Sequence, residues 1–105
     1  MKVIAEKTVE IARKLAPAET ADASVRQILI NEIRRRLNRY DMIDRQFRRK
    51  YGMTFQEFCD RDIVKEKGYS WEVESDFCDW EMAITGLDSL KSSLKELERG
   101  NGEDR

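Results

Sequence analysis

The longest regular pattern of hydrophobic positions lies in residues 24–50. Apolar side chains recur there at steps of three and four residues, which places them on one side of an α-helix. These residues are Val25, Leu29, Ile33, Leu37, Tyr40, Ile43 and Phe47. Ser24, with Gln27 three residues later, fits an N-terminal capping box, and Gly52 fits the left-handed residue that ends a helix. We therefore predict one long amphipathic helix over residues 24–50.

A short helix is predicted directly after a sharp turn at Gly52. Thr54 and Glu57 have the spacing of a capping box, and Met53 and Phe58 stand at the positions of a hydrophobic staple. We expect this helix to run to about residue 67, where Gly68 ends it.

The C-terminal third carries a second long apolar stripe, which predicts a helix near residues 72–99 that ends at Gly100. Its members are Phe77, Trp80, Ala83, Ile84, Leu87, Leu90, Leu94 and Leu97. Residues 69–75 alternate apolar and acidic side chains, so they fit an extended segment as well as a helix start. Either Ser70 or Ser75 could cap the helix.

The N-terminal residues 1–23 predict a short amphipathic helix and a connector. Ile4, Thr8, Ile11 and Leu15 share one side of this helix, and Pro17 ends it because the residue before a proline avoids the helical conformation. A β-strand at residues 2–5 is the alternative interpretation.

These patterns predict an all-α protein with a single domain spanning residues 1–105. Residues 1–23 form the N-terminal helix and connector, residues 24–99 the helical core, and residues 100–105 a frayed tail. We expect a small helical bundle or helical hairpin with one long central helix and a short connecting helix. The two apolar stripes exceed what one small chain covers by itself, so we expect a homo-oligomer, specifically a homodimer, or an obligate complex with the partner.

The amino-acid composition argues against several kinds of catalytic and metal-binding site. The chain has 105 residues, 20 basic against 21 acidic side chains, a net charge of −1 and no histidine. Without histidine the chain lacks a histidine-based triad, a histidine general base and the commonest metal ligand, and no glycine-rich phosphate loop occurs. Cys59 and Cys78 form no metal-binding spacing and are expected to be free, partly buried thiols. We expect no catalytic, cofactor or metal site, and therefore no enzyme.

The sequence also predicts where in the cell the protein is found. Charged residues interrupt the N-terminal segment, which does not fit a signal peptide, and no apolar run is long enough for a membrane span. We expect a cytoplasmic protein that does not contact a membrane.

Charge is distributed unevenly along the chain. Residues 26–50 hold nine basic and three acidic side chains, whereas residues 51–105 hold seven basic and fourteen acidic ones. Arginine predominates in the basic stretch, which favours bidentate contacts to carboxylate or phosphate groups. The candidates for contact with nucleic acid or an acidic partner are Arg34, Arg35, Arg45 and Arg49.

Aromatic and acidic residues alternate between residues 69 and 81. Such a mixture is typical of an interface with aromatic anchors and an acidic rim. The predicted partner-binding residues are Tyr69, Trp71, Glu72, Glu74 and Glu81. Phe77 and Trp80 are expected to anchor this segment to the core.

Two strings resemble a known group of proteins. Residues 48–58, RRKYGMTFQEF, resemble the KYGM-[ST]-xx-EF motif of small helical prokaryotic proteins that are encoded beside toxins and treated as antitoxin-like partners. Residues 68–81, GYSWEVESDFCDWE, resemble their second, acidic and aromatic block, which ends in W-E. The resemblance covers about residues 33–97. It implies a cytoplasmic all-helical protein that binds and neutralises a toxin, for which an RNA-cleaving enzyme is one candidate, and it carries over no catalytic residues.

Three functions follow from these observations. The first is a non-catalytic antitoxin whose acidic, aromatic segment covers the basic groove of a cognate toxin. The second is a small DNA-binding transcriptional regulator that uses the arginine-rich helix 26–50. The third is a structural subunit of a helical oligomer.

Overall fold

The computed structural model describes residues 5–103, with side chains up to residue 100. These residues form five helices and no strand: α1 (Glu6–Leu15), α2 (Ala21–Tyr51), α3 (Phe55–Asp60), α4 (Ile63–Glu66) and α5 (Trp71–Glu103). The predicted all-α fold with a long helix and a short connection is confirmed. Of the alternative strand, residues 2–4 lie outside the described part, and Ala5 is the N-cap residue of α1.

Helix α2 begins three residues earlier than predicted. The hydroxyl oxygen of Thr20 accepts a hydrogen bond from the backbone N–H of Ala23 at 3.1 Å, so Thr20 caps the helix. Ser24 lies inside α2 and is fully buried, and the predicted capping role of Ser24 and Gln27 is wrong. The predicted end is confirmed, because Gly52 follows α2 with a φ of 68°.

The predicted short helix is interrupted. Its start is confirmed, since Thr54 Oγ1 accepts from the N–H of Glu57 at 3.1 Å and the Glu57 carboxylate accepts from the N–H of Thr54 at 2.8 Å. Asp62 then adopts a left-handed conformation, with a φ of 52°, and divides the segment into α3 and α4. Gly68 and Tyr69 also have positive φ, and the chain reverses there into α5.

The segment 69–75, which the sequence left ambiguous, is helical from residue 71, and α5 extends further than predicted. Ser70 Oγ accepts a hydrogen bond from the N–H of Val73 at 3.3 Å, so Ser70 is the cap and the segment is helical from Trp71. Gly100 lies within the helix, which continues to Glu103. The predicted end at Gly100 and the tail over residues 100–103 are therefore wrong, and residues 104–105 lie outside the described part.

The described residues form two compact units, one that lies within residues 1–35 and 94–105 and one of residues 36–93. In the first unit the buried side chains are small or aliphatic: Ala12, Ala16, Ser24 and Ile30. Leu29, predicted on the apolar face of α2, is 47% exposed, and its neighbour Ile30 is buried instead. The single domain over residues 1–105 stays a prediction.

The second unit has an aromatic core around Trp80, which is completely buried. Its ring stacks on Phe47 with centroids 5.5 Å apart and lies 5.2 Å from the ring of Phe58. Trp80 Nε1–H donates to Asp44 Oδ1 at 2.9 Å, and the Arg48 guanidinium donates to Asp44 Oδ2 at 3.0 Å. The buried Asp44 carboxylate is thus fully paired, which removes the cost of burying it alone.

Helices α2 and α5 approach each other closely at Gly86 in the second unit. A Cβ atom added to Gly86 would lie 2.6 Å from Cε2 of Tyr40. Since real Cβ atoms do not approach a ring so closely, Gly86 permits the Tyr40 ring to pack directly on the backbone of α5.

Candidate protein-binding surface

Helix α5 presents two opposite faces in the second unit. Trp80 lies on the face that contributes to the core, whereas Trp71, nine residues earlier and about two and a half turns away, points in the opposite direction. Trp71 is 82% exposed. We call this second face the outer face of α5. Its residues are exposed and recur at helical spacing: Trp71, Glu74, Cys78, Glu81, Met82 and Thr85.

A cleft of about 520 Å³ adjoins the outer face, and we call it the acidic cleft. It is built by α3, α4 and the first turns of α5, and most of its lining is apolar. The lining residues are Phe58, Cys59, Asp62, Ile63, Val64, Tyr69, Glu74, Phe77 and Cys78. Glu74 and Cys78 belong both to this cleft and to the outer face, so the two form one continuous surface. The left-handed turns at Asp62 and Tyr69 shape its rim.

The cleft has a negative electrostatic environment. Asp62 and Glu74 are among the lining residues, and no lysine or arginine is. The pKa of the Cys59 thiol is raised, first by partial burial of the thiol and then by the nearby carboxylates of Asp60 and Glu81. Both effects favour the neutral thiol over the thiolate, and the carboxylates also attract cationic groups.

Glu72 lies apart from the other predicted partner-binding residues. Its carboxylate accepts a hydrogen bond from Lys50 Nζ at 2.7 Å, on the flank of α5 next to α2. Lys50 also donates to Asp76 at 2.6 Å, and the Tyr51 hydroxyl donates to the same Asp76 oxygen at 2.6 Å. The structure therefore brings Tyr69, Trp71, Glu74 and Glu81 to the outer face and cleft, and ties Glu72 to α2.

The Lys50–Tyr51–Asp76 cluster shifts the protonation equilibria of its members. Burial alone would raise the pKa of Asp76, but the hydrogen bonds from Lys50 and Tyr51 outweigh it and lower the pKa. Burial, followed by the bond to Asp76, raises the pKa of Tyr51 to about 12. The bond to Asp76 raises the pKa of Lys50. The charged lysine, neutral phenol and ionised carboxylate are thus the stable combination at neutral pH.

Three of the four predicted arginine contacts have acidic partners within their own chain. Arg34 lies 3.5 Å from a carboxylate oxygen of Glu98, Arg35 pairs with Glu32, and Arg45 lies 2.9 Å from Asp41. Arg49 is exposed on the same helix. The pairs of Arg35 and Arg45 join residues three or four positions apart on α2.

Arg45 and Arg49 belong to a group on α2 that we call the basic patch. It consists of Arg39, Met42, Arg45, Gln46 and Arg49, the exposed residues of a groove that Ile43 also lines. Met42 is 70% exposed at its centre. Met42 stands two positions before the buried Asp44, about 200° around the helix, which puts Met42 on the far side of α2 from the core.

Sequence reasoning missed Asp44, the cleft and the exposed Met42 at the centre of the basic patch. Asp44 gives a readable signal, since it stands between Tyr40 and Phe47 at helical spacing within the apolar stripe. Cys59 and Cys78 are free, as predicted, and both are exposed residues at the acidic cleft, although the Cys59 thiol itself is partly desolvated.

Among the residues that the structure describes, no cluster of three or more cysteine, aspartate and glutamate side chains is arranged to hold a metal ion. None of the described helices is long and apolar enough to cross a membrane.

No protein-family model matches this chain, and comparison with curated proteins and with solved structures finds no significant similarity.

Proposed function

We propose that the chain is a non-catalytic protein-binding module of the antitoxin type, which neutralises a cognate toxin in the prokaryotic cytoplasm. The observation that carries this proposal is the 82% exposure of Trp71. A large aromatic side chain held in water on a capped helix, opposite the core, contributes little to folding. Tryptophan is among the residues that most often dominate the binding energy of protein interfaces.

The chemistry around Trp71 supports a basic partner. Tyr69, Glu74 and Glu81 accompany it, so the surface combines aromatic groups with carboxylates. Aromatic rings can occupy positions that bases take in an RNA-cleaving toxin, and carboxylates can occupy positions of phosphates. Carboxylates at the rim of such an interface mainly increase the association rate and its salt dependence.

The intrachain ion pairs of Arg34, Arg35 and Arg45 favour this function over a DNA-binding regulator. A regulator that bound DNA through α2 would have to exchange these pairs for phosphate contacts, and its affinity would fall steeply with salt. A gel shift with DNA from the chain's own promoter, repeated at increasing salt, distinguishes the two functions.

The test is co-expression of the tagged chain with the product of the neighbouring open reading frame. The parent chain, Trp71→Ala and Leu15→Ala are compared by co-purification and titration, with a melting curve for each. Leu15 is the matched control because it is a large apolar residue, 69% exposed, at the end of α1. Truncation of an aromatic anchor costs about 2 kcal/mol or more, so Trp71→Ala should bind about 30-fold more weakly.

Leu15→Ala should bind as the parent does, and all three proteins should melt alike. Equal binding by Trp71→Ala, or no complex with the parent chain, would contradict the proposal.

A further inference from the structure

We propose that copies of this chain associate head to tail, with the basic patch of one copy docked on the acidic cleft and outer face of α5 of the next. This association needs no toxin and goes beyond the proposed function. It rests on the complementary chemistry of two surfaces that both lie in the second unit.

The basic patch has the form of an apolar anchor surrounded by cations. Arg39 and Arg45 stand three residues on either side of Met42, and Gln46 follows one helical turn after it. Residues at these spacings are neighbours on a helix surface. Met42 is 70% exposed, and the side chain of Arg45 is 71% exposed beside its ion pair with Asp41. Methionine is flexible and polarisable, which suits it to insertion into irregular apolar clefts.

The acidic cleft carries the opposite charge. Its floor is apolar, and its carboxylates are Asp62 and Glu74, with Asp60 and Glu81 close to the Cys59 thiol. The cations of the same segment do not line it; these are Arg61, Lys65 and Lys67. Its volume of about 520 Å³ is ample for a methionine side chain. Guanidinium groups around such an anchor can pair with the carboxylates in bidentate geometry.

The positions of the two surfaces require a second copy. Asp44 and Trp80 are hydrogen-bonded between α2 and α5, Met42 lies on the far side of α2, and Trp71 lies on the far side of α5. The two surfaces therefore face away from each other, and one chain cannot join them by itself. Contacts between two different surfaces of identical chains are heterologous, and they extend into rows or rings instead of closing as a symmetric pair.

This association has a consequence for toxin binding. A basic toxin that occupied the outer face of α5 would displace the basic patch of the neighbouring copy. Free chains would then form assemblies, and the toxin would dissolve them.

The test uses two variants, each with one surface altered, studied by sedimentation equilibrium with a reductant present because both thiols are exposed. The cleft variant carries Trp71→Ala and Glu74→Lys, and the patch variant carries Met42→Ala and Arg49→Glu. All four positions are exposed, so both variants should keep the circular dichroism spectrum of the parent.

The parent should show an average mass that rises with concentration at low salt and returns towards 12.4 kDa near 1 M salt, where the Debye length falls to about 3 Å. Each variant alone should associate at least tenfold more weakly. An equimolar mixture should form a 1:1 complex and stop there, because the cleft variant still offers a basic patch and the patch variant still offers a cleft.

A parent that stays monomeric at all concentrations would overturn the proposal and leave the cleft to another partner. Variants that associate like the parent, or a mixture that remains monomeric, would overturn it as well.

Discussion

The two tryptophans of α5 lie nine residues apart in similar sequence surroundings, yet their environments are opposite. Trp80 is completely buried among aromatic rings and bonded to Asp44, whereas Trp71 is 82% exposed. A glutamate directly follows each of them. The difference comes from helical phase alone, since nine residues turn a helix by about two and a half turns. Local composition therefore does not separate core from surface in this segment, but position on the helix does.

Replacement of each tryptophan by alanine should give the largest difference in the free energy of unfolding. Trp80→Ala removes a large buried ring and leaves the Asp44 carboxylate without one of its donors, so it should lower the free energy of unfolding by about 3–5 kcal/mol. Trp71→Ala should change it by less than about 0.5 kcal/mol. Urea denaturation followed by circular dichroism measures both, and comparable losses would mean that Trp71 also belongs to the core.

A single methyl group added at Gly86, where α5 packs closely on α2, should lower the stability of the protein. Gly86→Ala gains about 1 kcal/mol in helix propensity, but its Cβ would lie 2.6 Å from the Tyr40 ring. Overpacking should outweigh propensity and leave a net loss of about 1–2 kcal/mol. Gly100→Ala is the matched control, because nothing lies within 4 Å of the added Cβ, and it should be neutral or stabilising. A stabilised Gly86→Ala would disprove the close approach.

Removal of the Thr54 and Ser24 hydroxyl groups should affect stability differently, because the first is hydrogen-bonded and the second is buried without a partner. Thr54 is exposed but caps α3, so Thr54→Ala should cost about 1 kcal/mol. Ser24 is fully buried and its hydroxyl has no hydrogen-bond partner, so Ser24→Ala should be neutral or stabilising. Thermal unfolding of both variants tests this contrast. If Ser24→Ala lost as much stability as Thr54→Ala, Ser24 would act as a cap after all.

The smallest effect concerns alkaline pH. The pKa of Tyr51 is raised to about 12 from an ordinary value of 10.0, so its stabilising contribution is complete below pH 10 and is lost as the pH rises to about 12. Melting temperatures across this range should fall less steeply for Tyr51→Phe than for the parent. Tyr69→Phe is the control, since Tyr69 is 58% exposed, and it should keep the parent slope. Identical slopes for all three would exclude a role for Tyr51.

Most of the fold could be predicted because its signals are local. The capping box at Thr54 and the glycine at residue 52 each fix a helix boundary by short-range geometry. The start of α2 was misplaced because Thr20 and Ser24 are both good caps one turn apart, and apolar spacing does not choose between them. The break at Asp62 has no sequence signal, since a left-handed aspartate is rare and depends on packing around it.

The candidate surface could be predicted only in part. Composition pointed to residues 69–81, but the separation of Glu72 from Glu74 and Glu81 depends on where Lys50 lies across the helix pair. The acidic cleft depends on where α3 and α4 lie relative to the first turns of α5. The spacing of apolar residues in the sequence does not predict that arrangement. Arg45 and Arg49 of the basic patch were predicted as contact residues, but Met42 was overlooked because it falls outside the apolar stripe.

The claim that Trp71 is held out of the core for binding can be measured directly by iodide quenching of tryptophan fluorescence. The emission of Trp71 is obtained as the difference between the parent and Trp71→Phe, which retains Trp80 alone. In the dilute free chain, Trp71 should be quenched readily and Trp80 barely. In the complex with the product of the neighbouring open reading frame, Trp71 should become as protected as Trp80. A Trp71 that is shielded in the free chain, or that is quenched equally in the complex, would contradict the account.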